Sequence, residues 1–348
     1  MPDETTDGLL QRLAQGPVIC AEGYLFELER RGFLQAGAFV PEVVVEHPEK
    51  VTQLHREFVR AGSDVVEAFT YYAHREKLRL IGKEHLLEQL NRDALQIAKE
   101  VARQSSSLLA GDICNSNVFE AGNQASSDQV REMFTEQVGW AVDAGVDFII
   151  GETFSYAAEA LVALEVVREA GLPSVITLAF HQEPLTRDGW SVAEAGKRLA
   201  DAGADVVGLN CIRGPRTMLP LLQELVPAVD VPVAALPVPY RTHPAEPSFQ
   251  SLRDPSQPAN HRPFPVALDP FTCTRNEIAE FTVAARELGV SYFGVCCGAG
   301  PHHIRAMAEA LGRTPPASRY TADMSKHAFL GSDSSLRQHN LAFGSKEL

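Results

Sequence analysis

"DAGADVVGLNC" (Asp201–Cys211) holds the transition on which the fold turns. A helical stretch stops at Gly203, and glycine is the residue that ends a helix in the left-handed conformation. A short apolar run follows at once and stops on Asn210 and Cys211. The same transition returns in "RAGSDVV" (60–66) and "DAGVDFI" (143–149), with "EAGLPSV" (169–175) and "ELGVSYF" (287–293) as variants.

Outward from these points the chain alternates. Apolar runs rich in Val, Ile, Phe and Ala occupy 17–23, 64–70, 107–114, 148–154, 174–180, 205–211, 231–238 and 292–298. Apolar on both faces, each reads as a buried parallel strand. Between them lie stretches such as 49–63 and 127–146, where apolar residues recur every three or four positions, the period of a helix against a core. Eight strand–helix units without a dinucleotide fingerprint predict an α/β fold of the (β/α)8 TIM-barrel type rather than an open doubly wound sheet. All strand C-termini then share one face, where barrel active sites are built. The barrel is expected over residues 1–314. The proline-rich, aperiodic 239–264 reads as a long loop over the active face, and 315–348 as a C-terminal arm or tail.

Composition narrows the function. The chain has 348 residues, 45% of them hydrophobic, and a formal net charge of -14. With no Lys/Arg block, that charge argues against nucleic acid or an anionic membrane surface as partner, and small molecules are expected instead. No apolar run approaches the roughly 18 residues of a membrane span, and the acidic start "MPDETTDGLL" lacks the basic and apolar regions of a signal peptide. A cytoplasmic protein is expected.

Six cysteines are too few for a disulfide framework in a chain of this length. Two of them are adjacent, Cys296 and Cys297, in "YFGVCCG". Alone, the pair is open between packing, redox chemistry and metal ligation. Cys211, at the end of the sixth run, changes its standing, because strands six and eight are two apart around a barrel and one ion can span them. Three thiolates leave a fourth tetrahedral position open, the arrangement of a catalytic zinc, and soft sulfur selects zinc over magnesium or calcium. A substrate thiol bound there would ionise near neutral pH. Glu152, Glu22 and the Tyr71–Tyr72 pair fall at the same rim. Cys20 and Cys273 read as packing residues, Cys114 is left outside the site, and His302–His303 reads as part of a helix start.

"GLNC" followed by "GVCCG" (294–298) resembles the homocysteine S-methyltransferase family. The stretch "GAFVPEVVVEHPEKVTQLHREFVRAGSDVVEAFTYYA" (37–73) is similar to its betaine–homocysteine branch, and "PPAS" and "DMSKHAF" to that branch's C-terminal extension. The resemblance covers most of residues 15–320. It implies a zinc-dependent S-methyltransferase that moves a methyl group from an onium donor to the homocysteine thiolate, giving methionine. It places the homocysteine ammonium near Glu152 and the carboxylate near backbone N–H groups at Gly23 and Gly298, and it assigns Tyr72 to the donor, whose cation wants aromatic faces. A homo-oligomer, dimer or tetramer, is also expected. The chain departs from the family at three places. Ala21-Glu22 stands for the usual Asp-Gly, Phe39 for a Trp, and Thr153 for an aromatic. A betaine-like donor is expected first. A sulfonium such as S-methylmethionine or dimethylsulfoniopropionate, or another acceptor thiol, is the alternative, and a non-enzymatic zinc or thiol-redox role is the alternative of another class.

Overall fold

Among the described residues eight strands pair in sequence order, each parallel to the next, and close: β1 (Val18–Ala21), β2 (Val65–Glu67), β3 (Leu108–Cys114), β4 (Phe148–Phe154), β5 (Ser174–Leu178), β6 (Val206–Asn210), β7 (Val233–Leu236) and β8 (Tyr292–Val295). The seam between first and last runs Val18↔Tyr292 through Ala21↔Val295. The structure, a computed structural model, describes residues 8–258 and 260–348. The acidic start that argued against a signal peptide lies mostly in residues 1–7, outside the described residues. Helices on the outside complete a (β/α)8 barrel, as the alternating pattern predicts.

The recurring glycine does what its chemistry suggests. Gly62, Gly145 and Gly289 follow the helices Pro48–Ala61, Gln124–Ala144 and Arg275–Leu288, each with positive φ, and their N–H groups close the last turn. The aspartate two residues after the glycine has a separate task. Asp64 Oδ2 accepts the N–H of Ile19 at 2.8 Å, Asp147 Oδ2 that of Leu109 at 2.7 Å, and Asp205 Oδ2 that of Ser174 at 2.9 Å. Each sits before an even-numbered strand and satisfies an amide at the start of the strand before it, where the ladder leaves the donor without a partner.

Side chains alternate across each strand, so the interior can be read by parity. Val18 and Cys20, Val65, Leu108 and Ala110, Phe148 and Ile150, and Val206 form the inner apolar cluster. Ile19, Ala21, Val66, Ile149 and Val207 belong to the outer layer between sheet and helices. Continued toward the strand C-termini, the inward series arrives at Glu22, Glu67, Asp112, Glu152, Asn210 and Cys296. The loops beyond carry the remaining site residues. After β7, the segment 239–264 brings Phe249, Gln250 and Phe264 to a cavity at this face. Beyond the last barrel helix, Pro301–Ala310, the turn Pro316–Tyr320 packs on the helix Pro48–Ala61, and the chain finishes in the helix Gln338–Glu347.

Candidate metal and substrate site

Cys211 follows β6 directly, and Cys296 and Cys297 follow β8. The strand between them brings the two loops together. The Cys211 N–H donates to Leu236 O and the Cys296 N–H to Pro237 O, both at 2.9 Å, so the end of β7 holds one cysteine on each side. The three Sγ atoms lie within 4.8 Å of one another, and all are buried. All six cysteines are free thiols. The Cys211 thiol is pulled well below its usual pKa by S–H groups donated from Cys296 and Cys297, whereas burial pushes Cys296 up. Cys211 is therefore the first to ionise. Three soft donors this close can hold one metal ion and leave a position for a substrate sulfur.

The carboxylates sit beside the thiols. Donor atoms of Glu22, Glu152 and Cys296 lie within 4.8 Å of one another. The one-residue displacement of the strand-one carboxylate thus does not take it out of the site: Ala21 faces the helices and Glu22 the interior. Asn210 joins the two acids, its Nδ2 donating to Glu152 Oε2 at 2.5 Å and to Glu22 Oε2 at 3.3 Å. Its Oδ1 accepts the Thr153 N–H at 2.9 Å, and the Thr153 hydroxyl donates to Glu152 Oε2 at 2.9 Å. Burial, then the neighbouring Cys211 charge, raises the Glu152 pKa to about 8.

A cavity of about 220 Å³ opens above Cys211 and Cys297. Its walls are aromatic: Phe26, Phe39, Tyr71, Tyr72, Phe249 and Phe264. The Tyr71 and Tyr72 rings are 4.2 Å apart and those of Phe249 and Phe264 4.9 Å. The Lys77 ammonium stands 3.8 Å from the Tyr72 ring centroid. His181 and Arg187 add polar groups. His181 is fixed by Ser155 Oγ at 2.9 Å and Gln250 Oε1 at 3.1 Å, and burial lowers its pKa, so it faces the cavity as a neutral ring. Six of the seven non-glycine residues described with positive φ line this one cavity: Phe39, Tyr72, Asn117, Thr153, Cys211 and Ile212. Left-handed backbone costs such residues about 1 kcal/mol or more, and its concentration here is strain of the kind found at working sites.

Gly23 and Gly298 mark where the loops after β1 and β8 meet. A Cβ on Gly23 would stand 2.4 Å from Ala299 O, and one on Gly298, at φ +96°, would stand 2.2 Å from Tyr240 Oη. The residues set aside from the sequence stay outside the thiol cluster. Cys20 is in the inner core, and Cys114 Sγ accepts the Tyr72 N–H at 3.3 Å. His303 is buried in the first turn of its helix, bonding Gly300 N at 3.1 Å and Cys273 O at 3.1 Å. Glu67, Asp112 and His181 were missed by sequence reasoning. The signal for the first two was present, a charged residue at an inward position of an otherwise apolar run, in "DVVEAFT" and "SLLAGDIC".

A barrel with clustered thiols under an aromatic cavity has the arrangement of an enzyme site able to hold a metal ion and a small molecule. The homocysteine S-methyltransferase profile matches residues 19–311. Betaine–homocysteine S-methyltransferase 1 of Xenopus tropicalis is 37% identical over 343 residues, covering 95% of this chain and 81% of that one. The S-methylmethionine–homocysteine S-methyltransferase BHMT2 of Rattus norvegicus is 36% identical, covering 93% and 86%. Among solved structures, the metallated homocysteine methyltransferase MmuM of Escherichia coli superposes with a TM-score of 0.66 at 18% identity, covering 86% of this chain and 98% of that one, a likeness of fold. The chain belongs to the homocysteine S-methyltransferase family, and it is a methyltransferase.

Proposed function

We propose that the chain transfers a methyl group from an onium donor to the thiol of homocysteine, giving methionine, with a zinc ion held by Cys211, Cys296 and Cys297. The observation that carries the reading is the convergence of three buried thiols at the floor of an aromatic-walled cavity. Zinc in such a site lowers the pKa of a bound thiol, so the acceptor is a thiolate near neutral pH. Glu152, with Glu22 beside it, takes the homocysteine ammonium, and Asn210 fixes both carboxylates. The backbone at Gly23 and Gly298 takes the substrate carboxylate. Phe39 and Tyr72, with the other aromatic walls, hold the donor cation by cation–π attraction and keep water from the acceptor sulfur. The sulfur lone pair forms the new carbon–sulfur bond while the old methyl bond breaks, its electron pair staying on the donor's nitrogen or sulfur, so that the onium centre leaves neutral. No proton moves in that step.

A betaine-like trimethylammonium is the first donor. A sulfonium is the second reading, favoured by the thinner cage: Thr153 contributes no ring, and the Lys77 ammonium already rests on Tyr72. The relatives named for the two donors match the chain at 37% and 36%, so identity does not choose between them. The test is methionine production by zinc-loaded protein from homocysteine with betaine, S-methylmethionine and dimethylsulfoniopropionate in turn. Turnover with at least one supports the reading, and failure with all three overturns homocysteine methylation by this donor class.

The reaction belongs in the cytoplasm; no helix among the described residues is long and apolar enough to cross a membrane. A net charge of -14 accords with small-molecule partners and no nucleic acid. The exposed Phe329, Leu330 and Phe343 of the C-terminal arm support a homo-oligomer.

A further inference from the structure

Homocysteine brings one ammonium, and Glu22 and Glu152 are in place for it. The barrel mouth holds two further acids for which that substrate has no charge. Glu67 on β2 and Asp112 on β3 occupy the same inward layer, and both are buried. Carboxylate oxygens of Glu67, Asp112 and Glu152 lie within 4.8 Å of one another, as do the donor atoms of Cys20, Glu22 and Glu67. A cavity of about 10 Å³ lies among the four acids and reaches Cys296 and Cys297, and among the described residues no Lys, Arg or His lines it. That is room for about one water-sized sphere. Glu22 Oε1 and Asp112 Oδ1 are buried there without a hydrogen-bond partner.

The layer is acidic over four consecutive strands where barrels of this type usually carry branched aliphatic side chains. Carboxylates withdrawn from water are costly unless paired. The metal site next to them offers no compensation, because a divalent ion with three thiolates still carries a net negative charge. We propose that this cavity binds a hard divalent cation of the Mg²⁺, Mn²⁺ or Ca²⁺ class through Glu67, Asp112 and Glu152, with Glu22 left beside Glu152 for the substrate ammonium of the proposed function. Oxygens on opposite sides of such an ion are about 4 to 5 Å apart, given bonds of roughly 2.1 to 2.6 Å, which matches the spacing of these acids. Oxygen donors favour hard ions, so the site is chemically distinct from the three sulfurs beside it. Its volume admits an atomic ion. The bound charge holds the acidic half of the mouth together and leaves Glu22 free for the substrate ammonium.

The test is titration of the zinc-loaded full chain with manganese chloride, reading free Mn²⁺ by its paramagnetic resonance signal, with zinc content measured in parallel. A single Mn²⁺ per chain, displaced by Mg²⁺ or Ca²⁺ without loss of zinc, is expected. Glu67→Gln and Asp112→Asn should each weaken binding about tenfold or more with zinc retained. Should a variant fail to fold, anomalous diffraction at the manganese edge from crystals of the unaltered protein locates the ion: density among these carboxylates supports the site, and density elsewhere overturns it. An undiminished Mn²⁺ signal at millimolar metal overturns the proposal. Unchanged affinity in both variants does the same, and displacement by K⁺ alone overturns the divalent class. Methionine formation is not read, so failure of the homocysteine reading would leave this result standing.

Discussion

Asn210 is where the acidic and thiol halves of the mouth meet. Its amide bonds Glu152, Glu22 and Thr153, and its Nδ2 lies 3.9 Å from Cys296 Sγ. Asn210→Ala leaves the buried Glu152 carboxylate short of a donor, at a cost of about 1–3 kcal/mol. Denaturant unfolding should show that loss, and the homocysteine KM should rise more than the donor KM. A second residue, His55, bonded through Nδ1 to the Tyr24 hydroxyl at 3.1 Å, contributes to the response to acid. Burial holds the His55 pKa down at about 3, while an unfolded histidine titrates near about 6.5. Between those values the unfolded chain binds the extra proton, so stability present above about pH 6.5 is lost as pH falls toward about 3. In His55→Gln this limb is absent. The wild-type-minus-variant difference in unfolding free energy should shrink between about pH 7 and about pH 4, and a constant difference over that range would contradict the assignment.

At the scale of the element, the repeated Ala-Gly-x-Asp is two devices in one. The glycine stops a helix, a role visible in the sequence because only local conformation is involved. The aspartate reaches sideways to the preceding strand, as Asp147 does to the Leu109 amide, and that role depends on the two strands pairing side by side. Asp147→Ala should therefore cost about 1–3 kcal/mol although no apolar contact is lost, because an amide goes without its acceptor. Asn at the same position keeps an acceptor oxygen and should recover most of the loss, measured by thermal unfolding of both variants. Element ends were less legible than their existence. The predicted run 64–70 forms only Val65–Glu67 as strand, since the chain turns away after Glu67 through left-handed Tyr72 toward the cavity.

For the whole molecule, the C-terminal arm and the barrel make separable demands. From Met324 onward the arm is largely exposed, with Gly344 buried, whereas Ala317 is buried beside the barrel helices. Removal of 324–348 should leave the melting temperature within about 2–4 °C of the full chain, the change that about 1 kcal/mol makes in a domain of this size. Light scattering should show a smaller assembly. A collapse of the melting transition would show instead that the arm is part of the barrel's stability. The sequence by itself determined the eight-unit barrel and the thiol triad, because glycine stops, strand composition and cysteine position are local facts that parallel topology then places on one rim. It also placed Glu22 near the mouth, but not its direction. That was decided by closure, which fixes the parity of every strand: Ala21 turns outward, and Glu22, Glu67, Asp112 and Glu152 turn inward to one layer. Four acids read singly in four apolar runs are exceptions; only the tertiary structure makes them neighbours, because their spacing depends on strands that pair around a circle rather than along the chain.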